Sequence, residues 1–495
     1  MSVSDDVPSD ADGEHFNHIG RKARRGLTWS LLGNLGMKMG SFTVGLILAR
    51  LLSPADFGIF AVAFAAMTLA LHLNDAGIIA AYVQWRGKLE DMAPTGATIA
   101  VLSSLFVYAV FWFGAPAFAS LSGVPEAVPV VRLLTLVIVV DGIAAVRSAA
   151  LLRRFEQDKL IKANVAGMVA NAAVALPMGF SGAGAYSMAT AQLIGWIVAN
   201  AIIFKMGDVP FKFGFDKEVA KKLLKFGLPL AISLGIESIV MNADFVIVGH
   251  VLGAAALGYY LLAFNVSSWA PGLVGTAVRY VSVPGFSRLA EQGPASLAAG
   301  VRSSVPILVA AILPVAVVMG ILAPQIVDII YGDKWGPSAV ALRYLTILMV
   351  VRMLTSLASD ILTSTGHTRA IVWMTGGWAI ALVPALLIGT NIGGIGGTAI
   401  AHGIVAVCVA LPLAVIALRQ AGVSLLPTLP ALARPATSAA VAAAVTLGLE
   451  ELLSGTNSFV QLLVAGGLGT VAYIVVLVPL AKLRGLTNRL SRSNE

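Results

Sequence analysis

The sequence predicts an all-α integral membrane protein with about 14 transmembrane helices, and three observations predict it. The residues are 58% hydrophobic and 12% charged, whereas a soluble domain carries roughly 25% charged residues. Apolar segments of about 20 residues, the length that crosses a bilayer, recur along the chain. The basic residues gather at alternate ends of those segments, as in multi-pass membrane proteins.

The segments lie near 27–49, 57–81, 95–117, 128–151, 164–181, 184–204, 226–249, 257–281, 303–323, 338–362, 371–390, 394–418, 434–453 and 460–481. With 14 crossings both ends of the chain share a side. Of 33 lysines and arginines, 25 fall on that side, in the stretches 21–25, 86–88, 153–162, 205–225, 288–302, 369, 419–434 and 482–492. Two fall opposite, Arg50 and Lys334, and six lie within segments. This bias over short loops predicts that both termini are cytoplasmic. The longest cytoplasmic connection, 205–225, is basic, and an amphipathic helix on the anionic inner leaflet is one form open to it.

Several function classes drop out. The net charge of +8 does not point to nucleic acid, because the cations sit at segment ends. Cys408 is the only cysteine, so there is no disulfide framework and no thiolate metal site. No G-x-x-x-x-G-K-[ST] loop, H-E-x-x-H or G-x-S-x-G motif occurs, which argues against ATP hydrolysis and against an enzyme. The opposite-side loops are too short for the catalytic surface of a membrane glycosyltransferase. Residues 1–20 are polar and acidic and predict a disordered tail without a cleaved signal.

A repeat organises the middle of the chain. Shifted by 200 residues, RLLSPADFGIF at 50–60 aligns without a gap on HVLGAAALGYY at 250–260, Phe57-Gly58 on Leu257-Gly258 and Arg25 on Lys225. Six segments separate the copies, so both have the same orientation and are related by an axis along the membrane normal, a recurrent transporter plan. The expected organisation is a tail (1–20), a six-span lobe (21–204), a basic connector (205–225), a second six-span lobe (226–420), two C-terminal spans (421–484) and a tail (485–495). The two pseudo-symmetric lobes would surround a central cavity.

Seven stretches stand out: TWSLLGN (28–34), LARLLSPADFGIF (48–60), DAGIIAAYVQ (75–84), LLRRFEQDKL (151–160), DFVIVG (244–249), VPGFSRL (283–289) and GDKWGPS (332–338). In these the chain resembles the Wzx-type oligosaccharide/polysaccharide flippases of the multidrug/oligosaccharidyl-lipid/polysaccharide exporter superfamily, and most closely the branch with colanic-acid and teichuronic-acid exporters. The resemblance implies a bacterial inner-membrane protein that moves undecaprenyl-diphosphate-linked oligosaccharide to the outer leaflet by alternating access. Its partners would be membrane lipids, the lipid-linked oligosaccharide, and polysaccharide polymerase or assembly proteins. A lipid II flippase and a multidrug/cation antiporter share the fold and stand as alternatives.

Charges within spans cost at least about 2.5–3.5 kcal/mol each and normally face a cavity or a partner. A diphosphate head group calls for cations, so Lys38, Arg147, Arg279 and Arg352 are the candidate ligands. Arg279 also fits a snorkelling role at the interface. Glu237, Asp141, Asp75 and Asp244 are the candidate cavity or coupling carboxylates. Coupling to H⁺, to Na⁺ or to neither stays open, and no cofactor or metal is expected. At 1.5 Å per residue, Lys38 lies about 20 Å along its span from Arg25, and Glu237 about 18 Å from Lys225. The repeat then brings them to similar depth, either as cavity groups or as a static ion pair. Arg50, in an outer turn, is expected to complete a helix end.

Overall fold

In the computed structural model, residues 36–84, 89–154, 156–209, 211–269 and 285–478 are described. The described residues are mostly helical and hold no strand. That is the form lipid imposes, because a helix satisfies its backbone groups internally. In order the helices are α1 (36–51), α2 (Pro54–Gln84), α3 (Leu89–Leu121), α4 (Val128–Thr135), α5 (Val137–Arg153), α6 (Gln157–Phe180), α7 (Ala185–Met206), α8 (Lys217–Met241) and α9 (Ala243–Ser267). There follow α10 (285–291), α11 (Pro294–Ile321), α12 (Ala323–Tyr331), α13 (Ser338–Ser364), α14 (Thr368–Val405), α15 (Leu411–Gln420), α16 (Leu429–Leu452), α17 (Ser458–Gln461) and α18 (Gly467–Leu477).

Among the described residues 11 stretches are long and apolar enough to cross a membrane. Two helix breaks raise the 11 to 13, and α1, the described end of the first expected span, makes 14, with residues 270–284, which take in the end of the eighth, outside the described residues. Gly253, at φ 81 and ψ 179, turns the chain inside α9, so Ala243–Ser267 holds the end of the seventh span and the start of the eighth. Only glycine takes that conformation without strain. Gly393 and Gly394 break α14 in the same way, and the 52-residue stretch Arg369–Gln420 holds the eleventh and twelfth spans. The first span is described from residue 36.

The chain divides into two compact units, one of residues 1–48, 66–114 and 130–236, the other of 49–65, 115–129 and 237–495. In the first, α6 and α7 touch through glycines. A Cβ on Gly167 would lie 2.6 Å from the Gly195 carbonyl oxygen, and one on Gly195 would lie 2.8 Å from that of Gly167. Such small-residue approach is how membrane helices gain packing contact. In the second unit, a buried cluster of Val301, Leu308, Ile312, Met353, Leu357, Ile361 and Ala417 joins α11, α13 and α15. The terminal helices pack on the same unit. Tyr473 donates to the Ala310 carbonyl at 2.9 Å, and Gln325 donates to Gln461 at 2.7 Å.

The repeat is visible as a seam within the second unit. A Cβ on Gly58 would lie 1.8 Å from the Ala254 carbonyl oxygen, and one on Gly258 would lie 1.8 Å from the Pro54 carbonyl oxygen. The two contacts are one contact seen from either repeat, since 54 and 58 pair with 254 and 258. Arg50 and His250, which also pair in the repeat, play parallel parts. Arg50 donates to the Ile329 carbonyl at 3.0 Å and the Ile330 carbonyl at 3.2 Å, at the end of α12. A His250 ring nitrogen lies 3.0 Å from the Leu121 carbonyl, at the end of α3. A cationic or polar side chain there satisfies carbonyls that the helix leaves open.

Candidate functional site

The GDKWGPS turn locks this seam. Trp335 is fully buried and donates through Nε1 to the Ala49 carbonyl at 2.8 Å. Lys334 donates to the Arg50 and Leu52 carbonyls, both at 2.8 Å. Phe57 and Tyr259, neighbours in the repeat register, meet the indole edge-on at 5.0 and 5.9 Å. Three stretches distant in sequence, 48–60, 250–260 and 332–338, thus form one junction. Burial lowers the affinity of the Lys334 ammonium for its proton, an effect that Asp56 opposes.

A buried polar cluster lies on the same unit. Span seven breaks at Asn242 between α8 and α9, which places Asp244 in a new first helical turn. Its side chain is buried. One oxygen accepts from the Phe245 amide at 2.9 Å and the other from the Tyr260 hydroxyl at 3.2 Å. The Nδ1 of His402, on α14, lies 4.0 Å from that second oxygen. Arg352, on α13, is within electrostatic range of Asp244 and His402 and stacks over Phe264 at 5.5 Å. Among the described residues His402 Nδ1 and Trp378 Nε1 are buried without a hydrogen-bond partner. Their rings stand 6.4 Å apart. Asp244 and Tyr260 share a hydrogen bond, His402 stands beyond hydrogen-bond reach of the carboxylate, and the nearby guanidinium keeps an ionised Asp244 from being an isolated buried charge.

Of the eight expected site residues, the structure brings two together, Asp244 and Arg352. Arg147 is committed elsewhere. Its Nε donates to the Val209 carbonyl at 3.0 Å, Nη1 donates to the Phe204 carbonyl, and the guanidinium stacks over the Phe204 ring at 3.9 Å. It fastens the chain leaving α7. Lys38 is exposed on α1 and Asp141 is half-buried on α5. The side chains of Asp75 and Glu237 lie outside the described residues, and so does Arg279. The expected Lys38–Glu237 relation falls there with them. Tyr260, Trp378 and His402 complete the cluster and were not candidates from sequence. The available signal was that a charge at Asp244 needs partners on neighbouring spans.

The chain is similar to known proteins along most of its length. The chain is 23% identical to the succinoglycan biosynthesis transport protein ExoT of Rhizobium meliloti, over 92% of each chain. It is 21% identical to the lipopolysaccharide biosynthesis protein WzxC of Escherichia coli, over 75% of this chain and 76% of that one. Its fold matches a structure of the lipid II flippase MurJ in an inward closed conformation with a TM-score of 0.76. That match has 14% identity and covers 91% of this chain and 98% of that one. A family model described as polysaccharide biosynthesis protein matches residues 47–340. The matched stretch opens at the Ala49–Arg50 end of the seam and closes just past its Lys334–Trp335 lock. It takes in more than half of the chain, which therefore belongs to the polysaccharide biosynthesis protein family.

Proposed function

We propose that the protein flips an undecaprenyl-diphosphate-linked oligosaccharide from the inner to the outer leaflet of a bacterial plasma membrane, for a cell-surface polysaccharide, and that it is not an enzyme. The observation that carries this reading is the likeness to a succinoglycan biosynthesis transport protein over nine-tenths of both chains. The fold it shares with a lipid II flippase supports a lipid-borne cargo. Both termini and the basic loops lie in the cytoplasm in this reading, on the strength of the charge bias.

The mechanism is alternating access. The seam around Gly58 and Gly258 is the closed gate on the outer side. Among the described candidates Lys38 is the one we assign to the diphosphate, because Arg147 already serves two backbone carbonyls and Arg352 serves the buried cluster; Arg279 stays a candidate from the sequence. Asp244, with Tyr260 and His402 beside it, is the carboxylate we assign to a coupling proton. Glu237, Asp141 and Asp75 are the alternatives. Polysaccharide polymerase and assembly proteins are the partners expected to take up the flipped product.

The test is a depletion strain in which undecaprenyl-diphosphate-linked oligosaccharide is measured by leaflet in spheroplasts. The expected result is accumulation on the cytoplasmic side with loss of surface polymer. An unchanged leaflet distribution refutes the reading. Lipid II is a second cargo, favoured by the TM-score of 0.76 to its flippase. Mass spectrometry of the trapped lipid separates the two.

A further inference from the structure

The connection between α7 and α8 is a strap whose described residues, 207–209 and 211–216, form neither helix nor strand, continued by the first turns of α8. One side of the strap is fixed to the first unit. The Gly214 amide donates to Thr98 Oγ1 at 3.2 Å, and Thr98 Oγ1 donates to the Gly214 carbonyl at 2.8 Å. The Asp216 amide donates to Thr95 Oγ1 at 2.9 Å. Arg147 holds the Val209 carbonyl. Val209 and Leu223 are buried among Met92, Ala97, Val146 and Ala149.

The other side faces outward with a particular chemistry. Phe213 is 63% and Phe215 72% exposed, although nothing in a soluble environment favours leaving two phenyl rings uncovered. Lys212, Lys217 and Lys221 are exposed around them. Two nearby carboxylates are already engaged. Asp208 pairs with Arg154 at 3.4 Å, and Asp216 accepts the Glu218 and Val219 amides at 2.8 and 3.0 Å.

On α8 the exposed residues Lys217, Lys221, Leu224 and Leu228 share one face, and Ala220, Leu223 and Gly227 occupy the buried one. Along that one face charge comes first and apolar surface second, while Glu218, Lys222 and Lys225 are exposed to its sides. Lys217 to Lys221 rises about 6 Å, close to the roughly 5–7 Å of head-group region on each side of the hydrocarbon core. A helix entering a bilayer at Leu224 presents this order. A protein surface has no reason to require it.

We propose that this strap is a binding surface for anionic phospholipid head groups of the adjoining leaflet. Phe213 and Phe215 seat at the boundary between head groups and acyl chains, and Lys212, Lys217 and Lys221 hold lipid phosphates. The surface rests on the chain's crossing a bilayer and not on its cargo, so lipid retention and flipping report on it separately.

The full chain is reconstituted in nanodiscs of mixed phosphatidylglycerol and phosphatidylethanolamine, and retained lipids are counted by native mass spectrometry. At about fivefold per lysine near an anionic surface, K212Q/K217Q/K221Q is expected to lower phosphatidylglycerol affinity on the order of 100-fold. Phosphatidylethanolamine retention stays unchanged. F213S/F215S is expected to lower retention of both lipids alike. The control K159Q/K162Q/R302Q removes three cations elsewhere and keeps the selectivity. Unchanged selectivity in the strap lysine variant, or an equal loss in the control, overturns the proposal. Unchanged retention in F213S/F215S overturns the seating of the rings.

Discussion

Replacing Gly258 with alanine puts a methyl group where the structure has a carbonyl oxygen. The added carbon would lie 1.8 Å from the Pro54 oxygen, and even a close C···O approach needs about 3.3 Å. The obstacle is backbone, so it cannot swing aside. The two helices must part by roughly 1.5 Å to restore that contact. Parting them also loosens the Phe57 and Tyr259 rings from Trp335, which they meet at 5.0 and 5.9 Å. Overpacking of this kind costs about 1–3 kcal/mol, which shifts the balance from closed to open seam by roughly 5–150-fold.

The repeat adds a sharper expectation. One separation relieves both contacts, so G58A/G258A should cost little more than either single change, a non-additive result. The assay uses Ala49, which is fully buried at the seam. With Ala49→Cys in a Cys408→Ser background, a membrane-impermeant maleimide should label poorly in the parent and faster by the stated factor in G258A. If G258A melts like the parent and the cysteine stays protected, the seam is not the tight contact described. If the double change costs the sum of the singles, the two contacts are not a single interface.

Asp244→Ala should lower thermal stability by about 3–5 kcal/mol, because Arg352 loses the nearby carboxylate. Asp244→Ala/Arg352→Met should recover part of that loss, and no recovery would separate the two groups. Trp335→Phe keeps the ring but leaves the Ala49 carbonyl without its donor. A loss of about 1–3 kcal/mol by thermal unfolding is expected. Arg147→Lys keeps the charge but not the fork that reaches two carbonyls. Faster proteolysis or amide exchange at 207–216 is expected with expression unchanged, and parental protection there would dissociate Arg147 from the strap.

Most of the helical architecture was legible in the sequence, because lipid imposes long apolar helices and basic loops mark their ends. The repeat was legible as well, but not that its two copies touch. The 200-residue shift that aligns Phe57-Gly58 on Leu257-Gly258 pairs the very backbones that touch. The structure supplied the reason, since glycine is what lets two helices meet at that distance.

The partners were much less legible. Arg147 is held by backbone carbonyls, which every residue carries, so no residue type announces them. Asp244, Tyr260, Arg352 and His402 come from three helices far apart in the chain and meet only after folding. The connector was read as one basic segment. Its division into a strap and the start of α8 depends on Thr95 and Thr98, which in sequence are two unremarked hydroxyls within an apolar run.

Gly253 carries a consequence out of proportion to its size. Ala243–Ser267 has the length, hydropathy and helical pattern of a single crossing, and a count that takes it as one reaches an odd total. The glycine at φ 81 makes it two half-crossings instead, and so sets the parity of everything that follows. One residue can turn there where any side chain would resist.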